Sequence, residues 1–191
     1  MSEAVLKAVQ AKFGSEVLDT HSKCGDDTLI LKREKLVSIC RFLRDDPAMA
    51  FNMPIDVTAV DYQEFPDHEG PRFQVVYHFY STHYKHRVRL KVPVEEDDAT
   101  VPSVYSVWRG VNWFEREVFD MFGVKFDGHP DLRRILLYPE FEGHPLRKDY
   151  PLRGYQPLVP IQRFEGDNED PKFHNVDLNP DIEDLLPQRE G

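Results

Sequence analysis

Phe73-Gln74-Val75-Val76-Tyr77-His78-Phe79 and Lys85-His86-Arg87-Val88-Arg89-Leu90-Lys91-Val92, joined through Ser81-Thr82-His83, decide the fold class of this chain. In the first run Phe73, Val75, Tyr77 and Phe79 recur at every second residue. In the second, His86, Val88, Leu90 and Val92 alternate with Lys85, Arg87, Arg89 and Lys91. A period of two sends successive side chains to opposite faces of a strand, so the two runs predict a hairpin with one buried face. The other face of the second strand is strongly basic. Alternation of this kind suits a sheet with one solvated side. The same row of cations would also serve as a docking face for an acidic partner.

Working upstream, Ile55 to Tyr62 reads as another strand and Asp27 to Leu31 as a short one. Two helices precede and separate them. The first has Val5, Ala8, Val9 and Phe13 on one face, with Ser2 as its N-cap and Gly14 at its end. The second spans 33–45, with Leu36, Ile39, Cys40 and Leu43 at helical spacing, and Pro47 stops it. Downstream, the stretch from Pro93 to Pro102 contains Glu95-Glu96-Asp97-Asp98 and reads as an exposed loop, and Val104 to Val107 as a last short strand. A third helix starts at Asn112 as N-cap. It aligns Val111, Phe114, Val118, Met121 and Phe122 on one face and closes at Gly123. The order of elements predicts an α+β fold over residues 1–123, a two-layer domain of helices on a mixed β-sheet. From Val124 onward proline recurs at positions 130, 139, 145, 151, 157 and 160, a density that helices and inner strands do not tolerate. Residues 124–163 are therefore expected to form an extended proline-rich arm. Residues 164–191 are expected to be an acidic tail, flexible or ordered by a partner.

The chain has 191 residues and a formal net charge of -10, which argues against general nucleic-acid binding because phosphate would be repelled. Two cysteines, Cys24 and Cys40, read as reduced thiols and cannot supply the four thiolates of an iron–sulfur cluster. There is no glycine-rich dinucleotide or P-loop cradle, no HExxH and no GxSxG. No run approaches the roughly 18 apolar residues of a membrane span. The eight histidines, including His78, His83 and His86, show no tight metal-ligand spacing, so no metal site is expected.

The densest feature is Trp113-Phe114-Glu115-Arg116-Glu117-Val118-Phe119-Asp120-Met121-Phe122-Gly123. Acids and cations beside aromatics, followed by His129, Arg133, Arg134, Arg147 and Lys148, suit a buried or interfacial ion network, with Arg116 and Asp120 as i, i+4 neighbours. A local echo accompanies it: Phe126-Asp127-Gly128-His129-Pro130 and Phe141-Glu142-Gly143-His144-Pro145 are each followed by a leucine and two cations.

Glu115-Arg116-Glu117, Asp120-Met121-Phe122, His129, Arg133 and Ile135-Leu136, at their spacing, resemble the signature of the respiratory-chain 30-kDa subunit family, the C-type subunits of complex I. Gly143-His144-Pro145-Leu146-Arg147-Lys148-Asp149-Tyr150-Pro151-Leu152 resembles its downstream motif. The strong resemblance covers roughly residues 104 to 153. It implies a non-redox structural subunit in the hydrophilic arm of a proton-translocating NADH:quinone oxidoreductase. FMN and iron–sulfur clusters would lie in partner subunits, with no cofactor or metal and no catalytic residue in this chain. The implied partners are the 49-kDa-type (D-type) and PSST-type (B-type) subunits, with membrane contact only through the complex. Glu115, Arg116, Glu117, Asp120, His129, Arg133, His144 and Arg147 would form the family motif and interface. The short N-terminus favours the cytoplasmic side of a bacterial inner membrane, as a peripheral protein. Two alternatives stand beside this: the equivalent subunit of a membrane-bound hydrogenase or plastoquinone reductase, and a stand-alone metal-dependent enzyme.

Overall fold

The structure, a computed structural model, describes residues 2–66, 68–153 and 156–157. The expected acidic tail, 164–191, lies outside the described residues. The expected hairpin is present: β4 (Phe73–Ser81) pairs antiparallel with β5 (His86–Val94). Its connection is a turn in which the Lys85 amide donates to Ser81 O at 2.8 Å. Around it stand β1 (Val17–Lys23), β2 (Asp26–Leu31) and β3 (Met53–Asp61), in the order β1-β2-β5-β4-β3. All pairs are antiparallel except β2 with β5, so the sheet is mixed. The parallel pair has to be bridged by a long crossover. That crossover contains α2 (Leu36–Asp45), β3 and β4.

The inward face of the sheet shares a single core with the helices. From β4 and β5 come Phe73, Val75, Tyr77, Phe79, Val88, Leu90 and Val92. Helix α1 (Ser2–Phe13) adds Val5, Leu6 and Val9, and α2 adds Leu36, Ile39, Cys40 and Leu43. Helix α3 (Asn112–Phe122) adds Val118, Met121 and Phe122. Each of these sets keeps its helical or strand period, which is why one contiguous core forms.

One strand is not anticipated and three expectations need correction. Strand β1 escapes a reading by periodicity. It is an edge strand whose residues are all exposed or half-buried, so it lacks the apolar alternation that reveals a strand. Its hairpin to β2 turns on Cys24 (φ 57) and Gly25 (φ 81), two left-handed residues of the kind a two-residue turn requires. The stretch from Pro93 to Pro102 is not all loop. Strand β5 runs through Pro93 and Val94, past the last β2 pair at Lys91, so Pro93 lacks no donor on that side. Thr100–Pro102 then forms β6, parallel to β7 (Lys125–Asp127). Val104 to Val107 is a turn rather than a strand, closed by the Val107 and Trp108 amides on Val104 O at 2.9 and 3.0 Å. Clustered apolar residues serve a buried turn as well as a strand. Finally, Asn112 is not an N-cap. A 3-10 turn, Arg109–Val111, leads directly into α3, so Asn112 is already helical and its side chain caps nothing. After β7, residues 128–153 contain neither helix nor strand.

Candidate functional site

An α-helix leaves its last four carbonyls without partners in the helix. In α3 these belong to Phe119, Asp120, Met121 and Phe122. Gly123 N donates to Phe119 O at 2.9 Å, from a left-handed φ of 77°. The segment 144–147 supplies the other three donors. His144 Nδ1 donates to Asp120 O at 2.9 Å, Leu146 N to Met121 O at 3.1 Å, and Arg147 Nε to Phe122 O at 2.6 Å. The arm thus closes the helix end. A β-carbon at Gly123 would lie 2.6 Å from both the His144 ring and Arg147 Nη2, so only glycine admits this approach.

Asp120 holds the other side of the arm. Its side chain is fully buried. Oδ2 accepts three successive amides, Ile135 at 3.0, Leu136 at 2.8 and Leu137 at 2.9 Å, and Oδ1 accepts Arg134 Nη1 at 2.7 Å. Burial alone would raise this carboxyl. The Leu137 amide, the Arg134 guanidinium and the other two amides outweigh it and hold the group below the usual carboxylate range. Arg134 in turn donates through Nη2 to Phe141 O at 2.8 Å and Gly143 O at 3.1 Å. Arg116 donates through Nε to Arg133 O at 3.0 Å and through Nη2 to Arg134 O at 2.9 Å. The expected Arg116–Asp120 helical pair is therefore replaced. Each side chain has stronger partners in the arm than a solvated i, i+4 contact offers.

Glu115 is buried at the start of the same helix. It accepts Ser103 Oγ at 2.6 Å and Val104 N at 2.8 Å, fixing the turn after β6. His129 Nε2 lies 4.0 Å from Glu115 Oε2 and donates to Asn112 O at 3.2 Å, because its Nδ1 accepts the Asp131 amide. The sequence echo now has a physical meaning. Gly128 and Gly143, both left-handed at φ 78° and 87°, each set the following histidine on a carbonyl of α3, one at its first residue and one in its last turn. Burial pushes the Glu115 carboxyl up to about 7, against the smaller opposing effects of Ser103 and the Val104 amide. A carboxyl raised in the fold contributes stability that is full below its unfolded value of about 4.3 and lost as pH rises through about 7. Glu115→Gln is expected to flatten the fall in urea midpoint between about pH 4 and 7. An unchanged slope in the variant would assign that fall to another group.

The remaining sites separate. Glu117 is exposed, and Arg133, also exposed, pairs with Asp131 at 2.9 Å. Burial, then the nearby Arg147 and Arg134, lower the His144 pKa, which suits a neutral ring donating from Nδ1. His78 accepts Arg89 Nε at 2.9 Å, while His86 stacks on Phe51 at 4.6 Å. Among the described residues no three histidine, cysteine or acidic side chains gather as a metal-ligand set. Cys24 is exposed and Cys40 buried, both unpaired, and burial raises the Cys40 thiol. Sequence reasoning missed a second tie between arm and sheet: Arg72 pairs with Asp61 and Asp149, both at 2.9 Å, and with Glu96. Nothing in the separate sequence contexts of these residues signals the contact.

Residues 29–156 match the family model described as the respiratory-chain NADH dehydrogenase 30 kDa subunit. The chain belongs to that family. Among its relatives, the C-type subunit of NADH-quinone oxidoreductase from Geobacter sulfurreducens is 48% identical over 153 residues, 80% of this chain and 91% of that protein. Its counterpart from Cupriavidus taiwanensis is 40% identical over 176 residues, 91% of this chain and 86% of that protein. Of solved structures, the trypsin-resistant fragment of Nqo5 superimposes with a TM-score of 0.60 at 34% identity, covering 68% of this chain and 98% of the fragment. A chain of the membrane-bound sulfane sulfur reductase, an archaeal respiratory membrane complex, gives 0.63 at 25% identity, covering 78% and 85%. Helix α3 and the segment 128–153 that clasps it both lie within the stretch matched by the 30 kDa family model.

Proposed function

We propose that this 30 kDa-family chain is a non-redox structural subunit in the hydrophilic arm of proton-translocating NADH:quinone oxidoreductase. The observation that carries this reading is where the motif's charges go. Asp120, Arg116, Arg134, His129, His144 and Arg147 are spent on backbone groups of α3 and the arm, not on a ligand cradle. Glu115 and Asp120 are buried, so they cannot touch a partner and shape an interface only by holding the arm. The arm and α3 present Trp113, Leu136, Leu146 and Leu152 to the exterior at 70%, 63%, 50% and 100% exposure. Exposed apolar groups on an ordered arm suit burial against neighbouring subunits. On this reading those are the 49-kDa-type and PSST-type subunits, FMN and the iron–sulfur clusters belong to partner chains, and residues 124–163 act as the clasping arm. The chain would sit peripherally on the cytoplasmic side of a bacterial inner membrane. Among the described residues no helix is long and apolar enough to cross a membrane, so membrane contact is assigned to the complex.

The test is purification of a tagged chain from native membranes in mild detergent, with identification of the co-eluting proteins and an NADH:quinone assay on the eluate. Flavin- and cluster-bearing subunits with activity are expected to co-elute. Arg116→Ala, which frees the Arg133 and Arg134 carbonyls, is expected to lower that yield several-fold. Recovery of the parent chain alone would overturn the reading, and hydrogenase-type partners would change the electron donor.

A further inference from the structure

The face of the sheet turned away from the core has a feature the clasp does not use. On β5, Val88, Leu90 and Val92 are buried, while Arg87, Arg89 and Lys91 occupy the other side. Strand register sets Lys91 directly between Ile30 of β2 and Val76 of β4, and Arg89 between Thr28 and His78. Among the described residues Arg89 alone of these three cations is taken up, by His78 at 2.9 Å and by Asp26 at 3.0 Å. Among the described residues no carboxylate pairs with Lys23, Arg87 or Lys91. Asp19, Asp26 and Asp56 share the face; Asp26 stands opposite Lys23 in the register but its ion pair is with Arg89, and among the described residues none of the three forms an ion pair with Lys23, Arg87 or Lys91. Yet the chain has 34 acids against 24 lysines and arginines, so carboxylates are not scarce.

Lys91 shows what the arrangement costs. It is half-buried between two apolar side chains, and burial lowers its ammonium pKa, with Arg89 and Lys23 adding repulsion. A half-buried lysine whose charged neighbours are cations lacks the partner that such a position calls for. Carboxylates delivered from outside would supply it, and the half-buried Ile30 beside it would give the same partner an apolar footing.

We propose that this open face is the docking surface for a carboxylate-rich segment of a neighbouring subunit, laid across β1, β2 and β5 with its acids over Lys23, Arg87 and Lys91. The surface is separate from the arm, and the inference rests on the reading that the chain works inside a multisubunit complex.

The experiment compares lysine acetylation at Lys23 and Lys91 in the purified complex and in the isolated full chain, read by mass spectrometry, with carbodiimide cross-linking of the complex alongside. Expected are a several-fold slower acetylation of both lysines in the complex and zero-length links from them to aspartate or glutamate of another subunit. Equal acetylation rates in the two samples would overturn the proposal. Protection without carboxylate links would overturn it too, because the cover would then have other chemistry. If the chain does not co-purify with other subunits, the assembly reading fails first, before any lysine is compared.

Discussion

Asp120→Ala is expected to lower the unfolding free energy of the full chain by about 3–5 kcal/mol, the cost of removing one partner from a buried ion pair. The residue is fully buried, and its loss strands Arg134 together with the amides of Ile135, Leu136 and Leu137. Those donors cannot all turn to water while the arm keeps its path, so each adds desolvation cost. Urea unfolding at pH 7 measures the loss. Asp120→Asn keeps one acceptor oxygen and is expected to fall between parent and alanine variant. The pH dependence gives a second readout. The folded-state carboxyl is held below its usual range, so its contribution is present above about 3.9 and lost as pH falls through the folded value. The asparagine variant is therefore expected to lose less stability than the parent on acidification below about pH 4. An alanine variant within about 1 kcal/mol of the parent would show that the arm does not depend on this carboxylate.

The uneven legibility of the fold follows from how each part is stabilised. Strands β4 and β5 and helix α2 bury whole apolar stripes, so their periods are written in the sequence. Strand β1 and the β6–β7 pair are held by backbone hydrogen bonds at edges, with little periodic burial, and period reading passes over them. The motif around Glu115 and Asp120 is legible as chemistry of some kind, from its density of charges. Its actual work is not. An acid that accepts three amides looks, in sequence, like an acid on a solvated helix face. The Gly-His-Pro echo is visible as a repeat of residues, whereas its purpose depends on two carbonyls at opposite ends of α3. Arg72 and Asp149 are the extreme case, since 77 residues of chain separate the two ends of one ion pair.

That pair leads to the second large effect. Arg72→Ala is expected to cost about 3–5 kcal/mol as well, again through an abandoned buried carboxylate. The Asp61 side chain is fully buried and meets Arg72 twice, at Oδ2 (2.9 Å) and Oδ1 (3.1 Å), while also accepting Lys148 N and Gln63 N, each at 2.9 Å. Burial would raise this carboxyl, but Arg72 first and then the two amides hold it low, so loss of Arg72 leaves its burial opposed by the amides alone. Arg72 also lies over the Phe73 ring at 4.9 Å, and Arg147 reaches the same ring at 5.1 Å, which joins this tie to the helix cap. Two measurements separate a local defect from release of the arm. The first is a double-mutant cycle with Asp61→Asn, in which the combined loss is expected to fall well short of the sum of the single losses. The second is limited trypsin digestion: cleavage after Lys148 is expected to accelerate in Arg72→Ala, because Lys148 N and Asp149 are the arm's contacts with Asp61 and Arg72. Additive losses with unchanged cleavage would mean that the arm is held by the α3 contacts alone. The opposite result would make Arg72 the point where the sheet, the acidic loop at Glu96 and the arm are locked into one surface for assembly.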